Sequence, residues 1–585
     1  MANQASLYGG MAVAQVLAHH GVSVVFTLCG GHISPILTGA KSLGIRVVDV
    51  RNEATAVFAA DAMARLTGIP GIAAVTAGPG LTNTITAIKN AQLAEVPLVV
   101  LAGATATILK GRGALQDIDQ RAIVKSCVKW AATVKTVRDI IPTLEQALAI
   151  ARSDVPGPVV IEYPVDVLYP EADVRAMYGT KQGTGKGKLP LRLKLLNLYL
   201  ERHLNHLFAG LATLPAIETL PVSLPKITTT QAESGCRLLR QSQKPLILLG
   251  SQALLNPSQL SQLQATLELL RVPVYLSGMA RGLLGRSHPL QMRHTRKEAL
   301  READLIILAG VACDFRLDYG RQIPTAARLI TVNRNPATLK KNCRPHLAIL
   351  GEPELLLQKL AAQLGYHQSD WLTWTDHLRA RDEQREREIG EQAQGATELV
   401  NPLLLCQEIE KNLDEHSVII ADGGDFVGTA SYIVRPREAL SWLDPGPFGT
   451  LGVGAGFALG AKLCRPDSEV WLLYGDGSSG YSLIEFDTFV RHRIPIIAVI
   501  GNDACWGQIA REQVARLHDD VGTNLAHTHY EEVARALGGE GILLRDPREI
   551  GPAIAKAKEW ARQGKPVLIN ALIGKSDFRK GSISL

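Results

Sequence analysis

The stretches EVWLLYGDGSSG (469–480) and PIIAVIGNDACW (495–506) decide the fold of this chain. Each begins with a short apolar run and ends in glycine and polar residues, which is typical of a buried parallel strand that leads into a helix. Because the carboxyl ends of parallel strands meet at one edge of a sheet, Asp476 and Asp503 are expected to lie close together. Carboxylates at such an edge, with glycines that let backbone N–H groups approach, suit a Mg²⁺ ion that clamps a diphosphate. On residue types alone, two aspartates that only cap helices are the alternative.

The same alternation of short apolar runs and longer helical patterns continues over most of the chain. It predicts an α/β fold of three domains, each a parallel sheet with helices on both faces. The strands expected in the first domain are Arg46–Val50, Gly71–Ala77, Pro97–Gly103 and Gly157–Tyr163, with VVFTL (24–28) before them. Those expected in the central domain are Pro245–Gly250, Pro273–Ser277, Asp304–Gly310 and Arg328–Asn333. Those expected in the third domain are Ser417–Asp422, Glu469–Gly475, Pro495–Gly501 and Pro566–Ile573.

Two stretches of unusual composition separate the predicted domains. The predicted bounds are a first domain over 1–170, an insertion and linker over 171–231, a central domain over 232–365, a charged linker over 366–398 and a third domain over 399–585. In the insertion, LRLKLLNLYLERHLNHLF (191–208) has leucines at helical spacing and predicts an amphipathic helix. We expect it to pack on its own subunit or a neighbour, with contact to an anionic membrane surface as the less favoured alternative. The run HLRARDEQREREIGEQ (377–392) predicts a solvated surface helix.

The composition excludes several classes of function. The chain has 585 residues, 46% hydrophobic and 20% charged, as expected for a globular protein of several domains. The stretch Arg175–Arg202 has seven basic residues and one acid, which equals the net charge of +6 of the whole chain, so no nucleic-acid partner is expected. Eight cysteines without a CxxC pair indicate reduced thiols. No apolar run reaches the roughly 18 residues that span a bilayer, and no basic signal segment opens the chain, so we expect a cytoplasmic protein.

Further motifs occur along the chain, in addition to the stretches 469–480 and 495–506. They are VRNEATAVFAADAMAR (50–65), VTAGPGLTN (75–83), GALQDIDQ (113–120) and LGVGAGFALGAK (451–462). Together with GDG and the Asn-Asp pair, they resemble thiamine diphosphate-dependent enzymes, most of all the acetolactate synthase-like 2-hydroxyacyl-CoA lyases, and are also similar to benzaldehyde lyase. The resemblance covers nearly the whole chain outside the insertion. It implies a pyrimidine-binding first domain, a Rossmann-like central domain and a diphosphate-binding third domain, with thiamine diphosphate and Mg²⁺ as cofactors.

The resemblance also implies the residues that hold the cofactors. In the family the metal ligands are the GDG aspartate, the second residue of an Asn-Asn pair and a carbonyl two residues later. Here they correspond to Asp476, Asp503 and Cys505, with Asn502 as an alternative to Asp503. The other residues expected to contact thiamine diphosphate are Gly449, Leu451, Gly475, Gly477, Ser478 and Trp506.

Three residues of the first domain are implied to act in catalysis. By position alone, Glu53 is an acid at the start of a helix, but the resemblance implies that it hydrogen-bonds the aminopyrimidine ring of the cofactor. His32, which follows the strand VVFTL, is by position a helix cap or a core histidine, and the resemblance implies a proton-transferring role. Gln116 matches the active-site glutamine of benzaldehyde lyase. A neutral imidazole and an amide can move a proton at a carbinol oxygen without a fixed charge nearby.

The implied activity is reversible cleavage of a 2-hydroxyacyl-CoA to an aldehyde and formyl-CoA. Leu115 and Phe448, with Leu451 and Trp506, are expected to form an apolar pocket. Arg281, with Arg286, Arg293 and Arg296, is expected to pair with CoA phosphates, although a solvated basic face explains these arginines equally well.

Other functions and assemblies stay open at this point. One alternative is an acetolactate synthase- or benzaldehyde lyase-type carboligase that uses pyruvate or free aldehydes. Another is a catalytically silent regulatory partner. A homodimer or homotetramer is implied because, in the family, residues equivalent to Glu53 and Asp476 hold one cofactor across a subunit interface. The sequence does not determine the acyl chain length or whether the central domain binds FAD, ADP or nothing.

Overall fold

Three parallel sheets organise the chain, as seen in a computed structural model that describes residues 7–179, 190–365 and 371–581. Each sheet has six strands, and every strand pairing within the sheets is parallel. The predicted α/β fold of three parallel sheets is therefore confirmed. The chain divides into two compact units, Met1–Ala64 with Ile69–Val222 and Arg65–Gly68 with Ser223–Leu585. The domain bounds given above stay predictions.

The first unit contains one sheet. Its strands are β1 (Val24–Thr27), β2 (Arg46–Asp49), β3 (Gly71–Val75), β4 (Leu98–Ala104), β5 (Trp130–Thr133) and β6 (Pro158–Pro164), in the order β2-β1-β3-β4-β6-β5. Its helices are α1 (Gly9–His19), α2 (Ser34–Ser42), α3 (Glu53–Thr67, which ends in the second unit), α4 (Pro79–Thr82), α5 (Ile85–Leu93), α6 (Gln120–Val124), α7 (Ile140–Arg152), α8 (Val165–Leu168), α9 (Glu171–Met177) and α10 (Leu191–Leu207).

The second unit contains the other two sheets. The strands of the first are β7 (Pro245–Leu249), β8 (Val274–Leu276), β9 (Gln291–Met292), β10 (Leu305–Ala309), β11 (Arg328–Asn333) and β12 (Leu347–Leu350), in the order β12-β11-β10-β7-β8-β9. The strands of the next are β13 (Val418–Ala421), β14 (Trp442–Leu443), β15 (Val470–Gly475), β16 (Ile497–Asn502), β17 (Glu540–Leu544) and β18 (Val567–Leu572), in the order β14-β13-β15-β16-β18-β17.

The helices of the second unit follow the strands in alternation. They are α11 (Thr229–Arg240), α12 (Leu260–Leu270), α13 (Arg296–Glu302), α14 (Pro353–Leu364), α15 (Leu372–Ala393), α16 (Pro402–Asn412), α17 (Asp425–Ile433), α18 (Gly454–Cys464), α19 (Asp476–Ser479), α20 (Phe486–His492), α21 (Gly507–Leu517), α22 (Tyr530–Ala536) and α23 (Ile550–Arg562). The strands β15 and β16 are buried along their whole length, because helices cover both faces of the sheet, and this explains their continuous apolar sequence.

The strands that sequence reasoning missed all lie at sheet edges. They are β5, β9, β12, β14 and β17. Edge strands pair with one neighbour only, and these five are short, with two to five residues each. Pairing with the sheet, rather than local sequence, determines where such strands form.

The insertion helix α10 begins and ends within one residue of its prediction. Leu204, Leu207 and Phe208 join the hydrophobic core of the first unit, so the predicted packing on its own subunit is confirmed for the C-terminal half of the helix. The Gly-Lys stretch just before it, 180–189, lies outside the described residues. Within the part of the chain that is described, no helix combines the length and apolar character needed to cross a bilayer.

The prediction of a solvated helix over 377–392 is wrong for one face of α15. Leu378 and Ile389 are buried, and the carboxylate of Asp382 accepts hydrogen bonds from the backbone N–H groups of Arg293 and His294. Glu386 accepts a hydrogen bond from the His294 ring at 2.9 Å. The charges on this face bind the central sheet region instead of water, which hydropathy patterning alone does not reveal.

Candidate active site

The stretches 469–480 and 495–506 bring the carboxylates of Asp476 and Asp503 to one edge of a sheet. Gly475 at the end of β15 pairs in register with Gly501 in β16, so the residues that follow emerge side by side. Asp476 is 3% exposed, and its carboxylate accepts hydrogen bonds from the backbone N–H groups of Gly477 at 2.9 Å and Cys505 at 3.1 Å. The Asp476 carboxylate is thus oriented by the loop that follows the neighbouring strand.

Asp503 lies close to two other acidic residues, Asp476 and Asp425. Burial, followed by the nearby charges of Asp476 and Asp425, raises the pKa of Asp503 to about 7. Burial also raises the pKa of Asp476. Asp425 is bound by Arg511, whereas neither Asp476 nor Asp503 forms an ion pair with any residue that the structure describes. Asp476 is buried and Asp503 is half-buried. Two such carboxylates that repel each other, with no ion-pair partner among the described residues, favour a divalent metal ion between them.

The alternative ligand Asn502 is engaged elsewhere. Its side chain is fully buried at the end of β16, and its amide nitrogen donates to Asn570 at 3.1 Å. Its amide oxygen accepts from the backbone N–H of Ala504 at 3.3 Å. These bonds tie Asn502 into the sheet and leave Asp503 as the better placed metal ligand.

The third predicted ligand is the carbonyl of Cys505. The Cys505 backbone N–H is used by Asp476, and no described residue donates a hydrogen bond to the Cys505 carbonyl. Across the described chain, no group of three or more His, Cys, Asp and Glu side chains is arranged to hold a metal. Mg²⁺ commonly uses one or two carboxylates and takes its other oxygens from phosphates and water. Asp476, Asp503 and the Cys505 carbonyl therefore fit Mg²⁺ bound to a diphosphate.

A buried carboxylate, that of Asp422, fixes the loop that carries Gly449 and Leu451 through hydrogen bonds. Asp422, directly after β13, is 3% exposed and accepts hydrogen bonds from the backbone N–H groups of Gly452 at 3.0 Å and Gly454 at 2.6 Å. Burial raises the pKa of Asp422 to about 7. Gly449 and Gly452 have φ angles of +64° and +87°, which favour glycine. Asp422 thus fixes the turn from which the Leu451 side chain projects toward Gly423.

Ser478, Gly477 and Trp506 complete this edge of the sheet. The Ser478 hydroxyl donates to the carbonyl of Gly423 at 2.9 Å, which links the ends of β13 and β15. A Cβ atom on Gly477 would lie 2.5 Å from the Trp506 ring, so only glycine fits beside this indole. The predicted cofactor residues Gly475, Gly477, Ser478 and Trp506 are therefore neighbours of the carboxylate pair. Phe448, at the start of the same loop as Leu451, is 39% exposed.

The first unit has its own polar site at the carboxyl edge of its sheet. Glu53 is the first residue of α3 and is 6% exposed. Its carboxylate accepts a hydrogen bond from the amide nitrogen of Asn83 at 3.0 Å. A buried carboxylate with a neutral partner keeps one oxygen available for a polar group of a ligand.

His32 lies at the same edge, after β1. Its Nδ1 is 3.2 Å from the Thr76 hydroxyl, and burial lowers the pKa of His32. The ring is therefore neutral near pH 7. A Cβ atom on Gly103 would lie 2.5 Å from Cβ of His32, so the histidine packs closely against the end of β4.

Gln116 borders a cavity of about 290 Å³ within the first unit. Its φ of +64° is unusual for a residue with a side chain, and a Cβ on Gly78 would lie 2.9 Å from Cβ of Gln116. The predicted neighbour Leu115 is 82% exposed. Helix α10 supplies His203, His206 and Leu207 to the cavity wall, so the insertion takes part in shaping the space beside Gln116.

Sequence reasoning missed a buried polar network in the wall of this cavity. Gln120 accepts a hydrogen bond from the backbone N–H of Gly78 at 3.0 Å and donates to the carboxylate of Glu162 at 3.0 Å. The same carboxylate accepts a hydrogen bond from the Thr133 hydroxyl. The signal in the sequence was a single acid, Glu162, inside the otherwise apolar strand PVVIEYP (158–164).

The arginines expected to bind CoA phosphates have partners inside the second unit. The Arg281 guanidinium lies 4.8 Å from the centre of the Trp442 ring and donates to the Ser431 carbonyl at 3.0 Å. Arg293 binds Glu386, and Arg296 donates to the carbonyl of Arg316 at 2.7 Å. These contacts do not favour a role for Arg281 in binding substrate, and that role stays a prediction without structural support.

Three family models match the chain in order. They are the N-terminal TPP binding domain of thiamine pyrophosphate enzymes over residues 8–123, the central domain over 233–360 and the C-terminal TPP binding domain over 422–571. The segment that contains α10 lies between the first two matches.

Individual proteins match over almost the full length. A 2-hydroxyacyl-CoA lyase 2 from Danio rerio is 52% identical over 589 residues, which cover 100% of this chain and 94% of the relative. A 2-hydroxyacyl-CoA lyase 2 from Homo sapiens is 50% identical and covers 99% of this chain and 92% of the relative. An acetolactate synthase large subunit from Mycobacterium tuberculosis is 33% identical and covers 97% of this chain and 96% of the relative.

Proposed function

This chain belongs to the thiamine pyrophosphate enzymes, and from that premise we propose that it cleaves a 2-hydroxyacyl-CoA to an aldehyde and formyl-CoA. The observation that carries the proposal is sequence identity: about half of all residues, over nearly the full length, are identical to those of 2-hydroxyacyl-CoA lyases. Glu53 is buried and hydrogen-bonded to Asn83, and Asp476 and Asp503 are placed to bind a metal ion. These positions support an active member of the family rather than a catalytically silent one.

The second unit would hold the diphosphate through its metal. Asp476, Asp503 and the Cys505 carbonyl provide oxygen ligands, and Asp503 must be ionised to bind the ion. When bound, thiamine diphosphate supplies the nucleophilic carbon and the electron sink that cleavage of the carbon–carbon bond requires. Leu451, on the turn fixed by Asp422, would support the rings of the cofactor, and Gly449 would offer its carbonyl to the pyrimidine.

The first unit would supply the groups that handle protons. Glu53 keeps one carboxylate oxygen for the aminopyrimidine ring, since Asn83 occupies the other. Cleavage converts the 2-hydroxyl of the substrate to an aldehyde carbonyl, so this hydroxyl must lose its proton, and the formyl carbon must gain one. His32, neutral because burial lowers its pKa, can accept the first proton and return it. Gln116 can donate a hydrogen bond to the substrate oxygen.

We also propose that the working form is at least a homodimer, as the family resemblance implies. The proposal can be tested by the mass of the holoenzyme in analytical ultracentrifugation. The cytoplasmic location likewise stays a prediction from the sequence.

The test of the function compares kcat/KM for a 2-hydroxyacyl-CoA, the matching free 2-hydroxy acid and pyruvate, with Glu53→Gln as the background control. A lyase should prefer the thioester, and its products should be formyl-CoA and an aldehyde in equal amounts. The similarity to acetolactate synthase makes a carboligase the second candidate. If condensation of pyruvate is faster by about tenfold or more, a difference of about 1.4 kcal/mol in transition-state stabilisation, the carboligase replaces the lyase.

A further inference from the structure

Helix α10 presents two apolar stripes on opposite sides. The first is buried against the core of the first unit, where Leu200, Leu204 and Leu207 are 9%, 0% and 1% exposed. The second consists of Leu191, Leu195, Leu198 and Tyr199, at the spacing i, i+4, i+7 and i+8 of one helix face. These four residues are 73%, 60%, 67% and 58% exposed. Monomeric surfaces tolerate single exposed leucines, but a continuous stripe of large apolar residues marks an interaction surface. We call these four residues the outer stripe.

Unpaired cations flank the outer stripe. Arg192, Lys194 and Arg202 form no salt bridge or side-chain hydrogen bond with any residue in the described ranges. The single acid of the helix, Glu201, is already bound by Arg175 at 2.9 Å. The outer stripe is therefore an apolar face with net positive charge at its edges.

We propose that the outer stripe docks on the surface of an anionic lipid bilayer. A helix with leucines and an aromatic residue on one side, and lysine and arginine beside them, lies in the plane of the membrane interface. Each basic residue near the surface adds attraction to anionic headgroups. A second copy of the chain is the competing occupant of this face. It would bring the same unpaired cations against these, because a two-fold interface repeats the same patch on both sides.

Docking through this face has a consequence for the cavity beside Gln116. The same helix contributes His203 and His206 to the cavity wall. Since a helix with its side chains is about 10–12 Å across, a docked α10 would hold the cavity within roughly that distance of the lipid surface.

The experiment is co-sedimentation of the holoenzyme with vesicles of phosphatidylcholine, alone or with about 30 mol% phosphatidylserine. Wild type should bind the anionic vesicles, and added salt should weaken the binding. Leu195→Ser/Leu198→Ser should lower the partition coefficient by about fivefold or more. Arg192→Gln/Lys194→Gln/Arg202→Gln should abolish the preference for anionic vesicles. Leu269→Ser is the matched control, because Leu269 is 68% exposed on another helix, α12, and should bind as wild type does.

Three outcomes would overturn the proposal. One is equal binding of wild type to neutral and anionic vesicles. Another is unchanged vesicle binding by the outer-stripe variant with a native circular dichroism spectrum. The third is a fall in the oligomer mass of that variant in light scattering while vesicle binding is absent in wild type, which would assign the face to a second copy of the chain.

Discussion

Two sites at the edges of parallel sheets contain carboxylates, but the residues around the carboxylates differ between the two sites. In the first unit, Glu53 is alone, buried and hydrogen-bonded to the neutral amide of Asn83. In the second unit, Asp476, Asp503 and Asp425 crowd together, and their mutual repulsion adds to burial in raising the pKa of Asp503 to about 7. The same residue chemistry at the same kind of sheet edge thus creates two different environments.

The difference indicates two different tasks. A single buried carboxylate with a neutral donor can bind one polar group of a ligand with a defined hydrogen bond. A pair of carboxylates without a protein cation is stable only when protonated or when a metal ion neutralises it. This difference supports the proposed roles, in which Glu53 handles protons and the pair Asp476 and Asp503 binds the metal ion of the diphosphate.

The largest effect is expected when the acid of the first site is neutralised. Glu53→Gln keeps the size of the side chain but removes the charge, so turnover should fall by about 10²–10⁴-fold while the fold is kept. Exchange of the C2 proton of thiamine diphosphate, followed by NMR in deuterated water, should slow in parallel. Glu145→Gln is the matched control, because Glu145 is similarly buried at 4% exposure but its carboxylate pairs with His20, which is not a residue of the candidate site. Exchange at the wild-type rate in Glu53→Gln would remove Glu53 from the mechanism.

A smaller but still large effect is expected at His32. His32→Ala should lower kcat by about 10²-fold, the lower end of the range for general acid–base groups, with little change in cofactor affinity. Thr76→Val keeps the ring and removes only its hydrogen-bond partner at 3.2 Å, so its loss should be smaller. Steady-state kinetics and a cofactor titration separate the two quantities. Parental rates in His32→Ala would leave His32 as a structural histidine.

The sequence predicted the fold well where strands are central and poorly where they lie at edges. Central strands such as β15 and β16 are covered on both faces, so their apolar runs are visible without any knowledge of the partners. The edge strands β9 and β14 form because a neighbouring strand offers hydrogen bonds, and their two residues carry no period. Similarly, the charged sequence of α15 predicts a helix exposed to solvent, but Asp382 and Glu386 accept hydrogen bonds from His294, about 90 residues earlier in the chain.

The candidate site shows the same division. Asp476 and Asp503 were predictable because a local motif places both at strand ends. Asp422 was not singled out, because its role depends on two backbone N–H groups that lie 30 and 32 residues later. The role of Arg281 in binding CoA stays a prediction; its guanidinium packs on the Trp442 ring and donates to the Ser431 carbonyl, contacts that the sequence does not reveal. A sequence shows which residues carry charge, whereas the fold determines which charges are already satisfied.

At the second site, the affinity for Mg²⁺ should depend on pH. Because the pKa of Asp503 is raised to about 7, metal binding must displace a proton below that pH, and the apparent affinity for Mg²⁺ should fall about tenfold per pH unit. Asp503→Asn should flatten this slope, since the amide does not titrate. Calorimetric titration with Mg²⁺ and thiamine diphosphate over pH values from about 5 to 8 measures both slopes. Equal slopes in the two proteins would show that Asp503 is not the titrating ligand.

The same raised pKa fixes the sign of a stability change in the metal-free protein. The folded state keeps the Asp503 proton between the ordinary pKa of 3.8 and about 7, whereas the unfolded state loses it. The unfolding free energy contributed by this group should therefore decrease as pH rises through that window. Saturating Mg²⁺ should reverse the trend, because the ion binds the ionised form. Denaturant melts of chelated and metal-loaded protein test this directly.

The smallest effect is expected from the partner of Glu53. Asn83→Ala removes one hydrogen bond to a carboxylate, worth about 1.5–3 kcal/mol at most and less here because Asn83 is exposed, so kcat should fall by about tenfold or less. Asn83→Asp is the sharper variant, because it places a second acid beside Glu53 and recreates in the first unit the crowding of the second. Like charges disfavour ionisation, so the acid limb of its pH–rate profile should move to higher pH by more than that of Asn83→Ala, which loses only a neutral hydrogen-bond donor. If both variants shift the profile equally, the neutrality of the Glu53 environment does not set its behaviour, and the contrast between the two sites fails.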